Sequence, residues 1–200
     1  MPWGLTPRLP MSFDSRQAAT SGRFVVVAGV PGTGKSTLAY ELGRTLEWPV
    51  FSTDWLMGAL TPFGGRSMKQ LGDIGDELGT TLVYRQLVLG QSAILDTPGE
   101  NQAMRARWSS MARAFGVRLS VVVCTCSDEV VHKERLEQRA RGIPGWHDGG
   151  RWDIVKPRRD AFRAWDDAVD DVLVVDAIHP VEQIAGEALA WIRGGCGTTR

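Results

Sequence analysis

The sequence has no excess of charge of either sign. Lysine and arginine together number 23, as do aspartate and glutamate, so the formal net charge is zero at pH 7. This balance argues against a protein dedicated to long nucleic acid or to an anionic membrane, because such proteins depend on a basic surface. No apolar run approaches the roughly 20 residues of a membrane-spanning helix. Residues 1–22 also lack the continuous apolar segment of a signal peptide.

Cysteine and histidine are scarce as well. The three cysteines, Cys124, Cys126 and Cys196, are odd in number, and their spacing fits neither a zinc site nor a redox motif. The three histidines have no metal-ligand spacing. The sequence therefore gives no support for a disulfide-bonded or zinc-bound fold. It predicts reduced core cysteines in a cytoplasmic protein.

A glycine-rich loop follows four consecutive apolar residues at 24–27. The stretch from Gly29 to Ser36 fits G-x-x-x-x-G-K-[ST], a Walker A phosphate-binding loop, and residues 38–46 predict a helix after it. Such glycines let backbone N–H groups turn toward a di- or triphosphate. Lys35 is expected to reach the β- and γ-phosphates of ATP, and the Ser36 hydroxyl to bind Mg²⁺. The predicted nucleotide contacts here are Gly29, Gly32, Thr33, Gly34, Lys35, Ser36 and Thr37.

Short apolar strands alternate with helical patterns along the rest of the chain. This alternation predicts an α/β fold, a P-loop NTPase of the nucleoside-kinase-like kind, with a five-stranded parallel sheet and helices on both faces. We expect one domain over 23–193 with a small lid at about 141–152, a flexible leader at 1–22 and a flexible tail at 194–200. Further strands are predicted at 48–53, 92–96, 117–124 and 172–175, and further helices at 55–60, 68–89, 102–115, 128–141, 153–168 and 180–192.

Two aspartates end predicted strands. Asp54 follows the second strand and Asp96 ends the third, and ligands of such sheets bind beyond these carboxyl ends. Asp54 is a candidate catalytic base for a substrate hydroxyl, and a helix N-cap is the alternative. Asp96 is a candidate Mg²⁺ ligand of the Walker B type, with capping of the next helix as its alternative. Trp55 and Arg105 are candidate substrate contacts.

A nucleotide-gated switch is a rival of another class. Residues 96–99 fit the D-x-x-G of GTPases, and Thr125-Cys126-Ser127-Asp128 is a defective form of [NT]-K-x-D. Cys126 stands where the lysine that flanks guanine belongs, and the interval 36–96 looks helical rather than like a β-hairpin. These features favour ATP over GTP and a phosphotransferase over a switch.

Three arginines follow the fourth predicted strand. Arg135 and Arg139 are four residues apart in the helix predicted at 128–141, and hence on one face, while Arg141 opens the next loop. Cations here are candidates to neutralise the charge on a phosphoryl group in transfer, and a solvated helix face is the alternative. We select Arg139 as a catalytic residue, together with Asp54 and Lys35. Arg135 and Arg139 are also predicted nucleotide contacts.

These patterns occur together with two more, F-S-T-D-W-L at 51–56 and V-V-D at 174–176 followed by Pro180. Together with the P-loop, I-L-D at 94–96 and R-L-E-Q-R at 135–139, they resemble the P-loop small-molecule kinases of the AAA_33/zeta-toxin type. Among these, the set is similar to the chloramphenicol phosphotransferases. The likeness extends from about residue 24 to 192, and it is specific only in these short patches.

The resemblance implies a kinase that moves the γ-phosphate of ATP, with Mg²⁺, to a hydroxyl of a small metabolite or antibiotic. It implies that Lys35 and Ser36 serve the phosphates and Mg²⁺, and that Asp54 is the base. The arginines of R-x-x-x-R would face adenine and phosphates, and the loop near 177–180 would border the adenine. A nucleotide or polynucleotide 5′-hydroxyl is the alternative acceptor. The chain departs from the family pattern at 97–99 and 61–89, so the acceptor stays open, as does the choice of monomer or homodimer.

Overall fold

Five parallel strands form one sheet in the computed structural model, which describes residues 22–146, 149–163, 165 and 171–194. The strands are β1 (Phe24–Ala28), β2 (Val50–Ser52), β3 (Ala93–Asp96), β4 (Leu119–Thr125) and β5 (Val172–Asp176). Their order across the sheet is β2-β3-β1-β4-β5, and every neighbouring pair is parallel. β1 is central and fully buried, which explains its continuous apolar sequence. The predicted α/β class and five-stranded parallel sheet are confirmed.

Helices cover both faces of this sheet, as predicted. Side chains alternate along β1, so that Phe24 and Val26 face one core while Val25 and Val27 face the other. The third and fourth helices supply the first core, and the first and seventh supply the second. The helices are α1 (Lys35–Leu46), α2 (Thr53–Leu60), α3 (Met68–Val88), α4 (Gln102–Phe115), α5 (Glu129–Gln138), α6 (Trp152–Asp160) and α7 (Val181–Gly194), with a short 3-10 helix at Thr61–Phe63 after α2.

The strand register brings the predicted site residues to one edge. Asp96 of β3 pairs with Val27 of β1 on one side and with Ser52 of β2 on the other. The P-loop after β1, the start of α2 and the loop after Asp96 therefore leave the sheet at the same level. This edge is where open parallel sheets bind ligands.

Two predicted boundaries at this edge are wrong. Asp54 does not end a strand, because β2 stops at Ser52, level with the last residue of β3, and Asp54 lies in the first turn of α2. The helix predicted at 128–141 ends at Gln138. Arg139 has an extended backbone, and its carbonyl accepts a hydrogen bond from the Gly149 N–H at 2.8 Å, which holds the chain away from the helical path.

Several expectations fall outside the described residues. These are the leader over 1–21, the tail over 195–200, His147, Cys196, and residues 164 and 166–168 of the helix predicted at 153–168. That helix is shorter than predicted, because α6 ends at Asp160 and residues 161–163 are not helical. Gly194 still belongs to α7. Cys124 and Cys126 are buried free thiols, and burial raises the pKa of Cys124 to about 12. In the described part of the chain, no helix is long and apolar enough to cross a bilayer.

Candidate active site

The P-loop follows a backbone path that needs glycine at two points. Gly29 has a φ of 146° and Gly32 a φ of 92°, values that residues with side chains rarely adopt. A Cβ on Gly29 would collide with the carbonyl of Cys124, and one on Gly32 would lie 2.9 Å from the ring of His132. Both conformation and space therefore require the glycines that the Walker A pattern supplies.

The first turn of α1 offers positive charge to an anion. It begins with Lys35, Ser36 and Thr37, and it contains no acidic residue that would occupy its free backbone N–H groups. Lys35 is only 4% exposed, and its charge acts on the carboxylate of Asp54. Thr33 braces the loop from within, since its hydroxyl donates to the carbonyl of Val30 at 2.9 Å.

A cavity of about 1050 Å³ opens beside this turn. One part of its wall is cationic, and another, at residues 177–181, is largely apolar. This division suits a nucleotide, with its phosphates at the cations and its base against the apolar wall. The cations that line the cavity are Lys35, Arg135, Arg139 and Arg141.

Arg135 and Arg139 both reach this cavity, although they do not share a helical face. The Arg135 guanidinium donates to the carbonyl of Ala177, which ties α5 to the loop after β5. Arg139, beyond the end of α5, donates through Nε to the carbonyl of Gly149 at 3.3 Å, and its charge also acts on Asp54. Their contacts with a nucleotide stay a prediction.

Asp54 is paired with Arg141, and both side chains are largely buried. Burial by itself raises the pKa of Asp54, but the charges of Lys35, Arg141 and Arg139 and the hydrogen bond from Arg141 outweigh it and lower that pKa below 3.8. The carboxylate is therefore ionised at neutral pH. The capping alternative is wrong, because the N-cap of α2 is Ser52.

Asp96 presents an oxygen suited to a divalent cation. The residue is 2% exposed, and its Oδ1 is buried without a hydrogen-bond partner among the described residues. Such an orphaned carboxylate oxygen is costly unless a cation or water completes it. Ser36 lines the cavity on the P-loop side. Within the described ranges no three His, Cys, Asp or Glu side chains cluster as a metal site, so the pair fits Mg²⁺, which takes most ligands from phosphate and water.

His132 is a supporting residue that the sequence patterns did not reveal. Its ring is fully buried, its Nε2 is 2.9 Å from the carbonyl of Pro31, and the ring forms a T-shaped pair with Trp152 at 5.1 Å between centroids. Burial lowers the pKa of His132 more than the hydrogen bond to Pro31 raises it. The neutral imidazole thus holds the P-loop from behind, and no motif marks it because its partners are distant in sequence.

Asp76 is a second acidic group near Asp54 that the sequence patterns did not identify. It lies on α3, and its Oδ1 accepts a hydrogen bond from the hydroxyl of Thr97 at 3.0 Å. Burial raises the pKa of Asp76 to about 6, although the bond from Thr97 lowers it, and the charges of Asp73, Glu77 and Asp54 raise it further. No pattern in the stretch 61–89 distinguishes this aspartate from its exposed neighbours.

The two predicted substrate contacts differ in position. Trp55 is 49% exposed and lines the cavity. Arg105 is buried elsewhere: its Nε donates to the carbonyl of Gly99 at 2.6 Å, and its guanidinium lies 4.5 Å from the ring centroid of Trp165. Arg105 is not part of the cavity wall. Its packing is structural in this geometry, and substrate binding by either residue stays a prediction.

The contacts of Asp128 argue against the nucleotide-gated switch. The carboxylate of Asp128 accepts the backbone N–H groups of Val130 and Val131 at 2.8 and 3.0 Å, and so caps α5. An aspartate that reads guanine would need that carboxylate for the base. Helices α1, α2 and α3 fill the interval from 36 to 96, as predicted.

Solved structures with the same fold include kinases of small molecules. A sugar kinase from Janibacter sp. HTCC2649 aligns with a TM-score of 0.63 and 18% identity over 86% of this chain and 94% of its own. Shikimate kinase from Aquifex aeolicus aligns at 0.58 with 16% identity over 86% and 96%. The APS kinase of Mycobacterium tuberculosis, in complex with AMPPNP and APS, aligns at 0.55 with 18% identity over 86% and 98%. These likenesses establish the fold of a P-loop kinase.

Comparison by sequence gives fewer matches than comparison by structure. No curated protein matches the chain, and the similarity to chloramphenicol phosphotransferases stays a prediction. The model of the AAA_33 family, described as an AAA domain, matches residues 24–144, which is more than half of the chain. The matched segment contains the P-loop, Asp54, Asp96 and the arginines that line the cavity. The chain therefore belongs to the AAA_33 family.

Proposed function

We propose that this protein is an ATP-dependent kinase that transfers the γ-phosphate to a hydroxyl of a small molecule. The observation that carries the proposal is the position of Asp54, an ionised and largely buried carboxylate within the field of Lys35 and beside a cavity of nucleotide size. A binding module has no use for such a carboxylate, because it repels the phosphates of a bound nucleotide. A phosphotransferase uses it to bind and deprotonate the acceptor.

The P-loop and the cations hold and polarise the nucleotide in this proposal. Lys35 and the first turn of α1 bind the β- and γ-phosphates, and the apolar wall at 177–181 receives the base. Ser36 and Asp96 would hold Mg²⁺, which supplies charge neutralisation at the phosphates. Arg139 and Arg135 add positive charge where the phosphoryl oxygens carry it during transfer.

The reaction is a single in-line displacement. The acceptor oxygen forms a bond to the γ-phosphorus, the bond from that phosphorus to the β–γ bridging oxygen breaks, and ADP leaves with the electron pair. Asp54 orients the hydroxyl and takes its proton. Because the transition state is loose, much of the rate enhancement comes from positioning.

A screen of hydroxylated metabolites, nucleosides and antibiotics for an ATP-dependent mass gain of one phosphoryl group tests the proposal. Asp54→Asn should then fold and bind ATP normally, yet lose turnover by about 10²-fold or more, since Asn cannot take the proton. Melting temperature, ATP affinity and turnover are measured on one sample. A stable, ATP-binding variant with near-native turnover would show that Asp54 is not the catalytic base.

The proposal also specifies the nucleotide. Calorimetric titration with ATP and with GTP, each with Mg²⁺, should show tighter binding of ATP, because the guanine-reading motif is incomplete and Asp128 is committed to its helix cap. Tighter binding of GTP would restore the switch alternative. The same proposal includes a cytoplasmic location, one kinase domain over 23–193 and a small lid at about 141–152.

A further inference from the structure

The second helix and the third approach each other closely beside Asp54. A Cβ on Gly75 would lie 2.9 Å from the Met57 side chain and 3.1 Å from the Thr53 carbonyl, so α3 needs glycine there to pack on the first turns of α2. Asp76 is the next residue of α3, and Asp54 is the next residue of α2. The close packing thus places the two carboxyl groups near enough for the charge of Asp54 to act on Asp76.

Thr97 fixes one oxygen of Asp76 and leaves the other available. The Thr97 hydroxyl is fully buried, accepts the Gly99 N–H at 3.3 Å, and donates its one proton to Oδ1 of Asp76. Oδ2 of Asp76 accepts no hydrogen bond and forms no ion pair among the described residues, and it is not one of the fully buried unpartnered atoms. The side chain is therefore oriented with one carboxylate oxygen open to a ligand.

Two cations on or beside α3 form ion pairs with acidic residues of that helix. Lys69 pairs with Asp73 at 2.9 Å, and Arg107 pairs with Glu77. Three cations of the cavity act on Asp54, whereas the charges that raise the pKa of Asp76 are all acidic. An anionic group at Oδ2 of Asp76 would thus meet acidic charges, whereas a hydrogen-bond donor would be stabilised there.

We infer that Asp76 is an acceptor-binding residue, and that the acceptor is a neutral polyol or an amino-bearing polyol rather than a carboxylate or phosphate compound. This inference rests on the proposed kinase function. One hydroxyl of the acceptor lies at Asp54 for transfer. A second donor, a hydroxyl or an ammonium group, lies at Oδ2 of Asp76. The pair of carboxylates, one on α2 and one on α3, selects two donors held at a fixed separation.

Matched acceptor sets test the substrate class. Each set contains a neutral sugar or polyol, its amino derivative and its acid, such as glucose, glucosamine and gluconate. Each compound is incubated with the protein, ATP and Mg²⁺, and the mass of the product is measured by mass spectrometry. We expect one phosphoryl group on neutral or amino members and none on the acids. Transfer to acids alone would overturn the inference while supporting the kinase proposal. No transfer to any member of these sets would overturn the inference. If the wider screen of metabolites, nucleosides and antibiotics also gave no product while ATP binding stayed intact, the kinase proposal would fall as well.

A variant on α3 tests whether Asp76 binds the acceptor. Asp76→Asn keeps the shape and the bond from Thr97, so a purely structural role predicts an unchanged acceptor KM. A binding role predicts a rise of about tenfold to a hundredfold in that KM, with the KM for ATP unchanged, because a charge-assisted hydrogen bond is lost. Asp73→Asn, on the exposed side one turn earlier, is the matched control and should leave both values unchanged.

A second variant tests the role of Asp76 even if Asp76→Asn fails to fold. Thr97→Val removes the hydroxyl that orients Asp76 but leaves both carboxylates in place. It should raise the acceptor KM several-fold and leave ATP binding unchanged. If both Asp76→Asn and Thr97→Val match the Asp73→Asn control in acceptor KM, Asp76 is not an acceptor-binding residue.

Discussion

Asp76 should make the native protein less stable than it would be with an uncharged residue at the same place. Its pKa is raised from 3.8 to about 6, with burial as the largest cause. Ionising it in the folded protein at neutral pH therefore costs up to about 3 kcal/mol relative to the unfolded chain, at 1.36 kcal/mol for each unit of pKa. Water access to the half-buried side chain reduces this, so we expect about 1–3 kcal/mol.

The sign of the pH dependence follows from the direction of the shift. Because the folded pKa lies above the unfolded value, the folded protein binds the proton more tightly between about pH 4 and pH 6. The contribution of Asp76 to stability is thus fully present below pH 3.8 and is lost as the pH rises through about 6. Asp76→Asn has no proton to lose, and its amide oxygen still accepts from Thr97.

Urea unfolding of the native protein and of Asp76→Asn, from pH 4 to pH 8, measures this effect. The variant should be more stable at pH 8 by about 1–3 kcal/mol, with a melting temperature higher by about 2–4 °C for each kcal/mol, and this advantage should shrink toward zero near pH 4. The exposed control Asp73→Asn should change stability by no more than about 0.5 kcal/mol. An advantage independent of pH, or a loss of stability at pH 8, would refute the reasoning.

Three further predictions concern the nucleotide side. Lys35→Ala should fold and lose most of its ATP affinity by calorimetry, because a buried charge-assisted contact to phosphate is removed; unchanged affinity would contradict it. Arg139→Ala should lose about 10²-fold in kcat with little change in the Kd for ATP, and full turnover here combined with a loss in Arg141→Ala would show that the second arginine acts instead. Gly29→Ala should lower the free energy of unfolding by at least about 1–3 kcal/mol, because its φ of 146° is strained for alanine and the Cβ meets the Cys124 carbonyl.

The sequence was sufficient for those parts of the site that short patterns specify. The apolar run of β1 and the glycines of the P-loop predict a buried central strand and a phosphate loop, and the alternation of strands and helices predicts the parallel sheet. Asp96 ends β3 as expected, because strand pairing with β1 sets that boundary. These features depend on neighbours within a few residues or on the period of the side chains.

Features that depend on distant contacts were missed. Arg139 leaves the helix because its carbonyl bonds Gly149, a contact that helical spacing does not reveal. Asp76 resembles the exposed acidic residues around it in sequence, and only the packing of α3 on α2 and the hydroxyl of Thr97 distinguish it. His132 likewise gains its role from Pro31, 101 residues away. Tertiary packing, rather than local pattern, decides these positions.

The pairing of Arg141 with Asp54 has a consequence for binding. The guanidinium of Arg141 contacts the carboxylate that an acceptor hydroxyl must reach in the proposed reaction. The phosphates of ATP compete for the same guanidinium, since Arg141 also lines the nucleotide cavity. In the proposed kinase, bound ATP would thus draw Arg141 toward the phosphates and free Asp54 for the acceptor, so we expect ATP to raise the affinity for the acceptor.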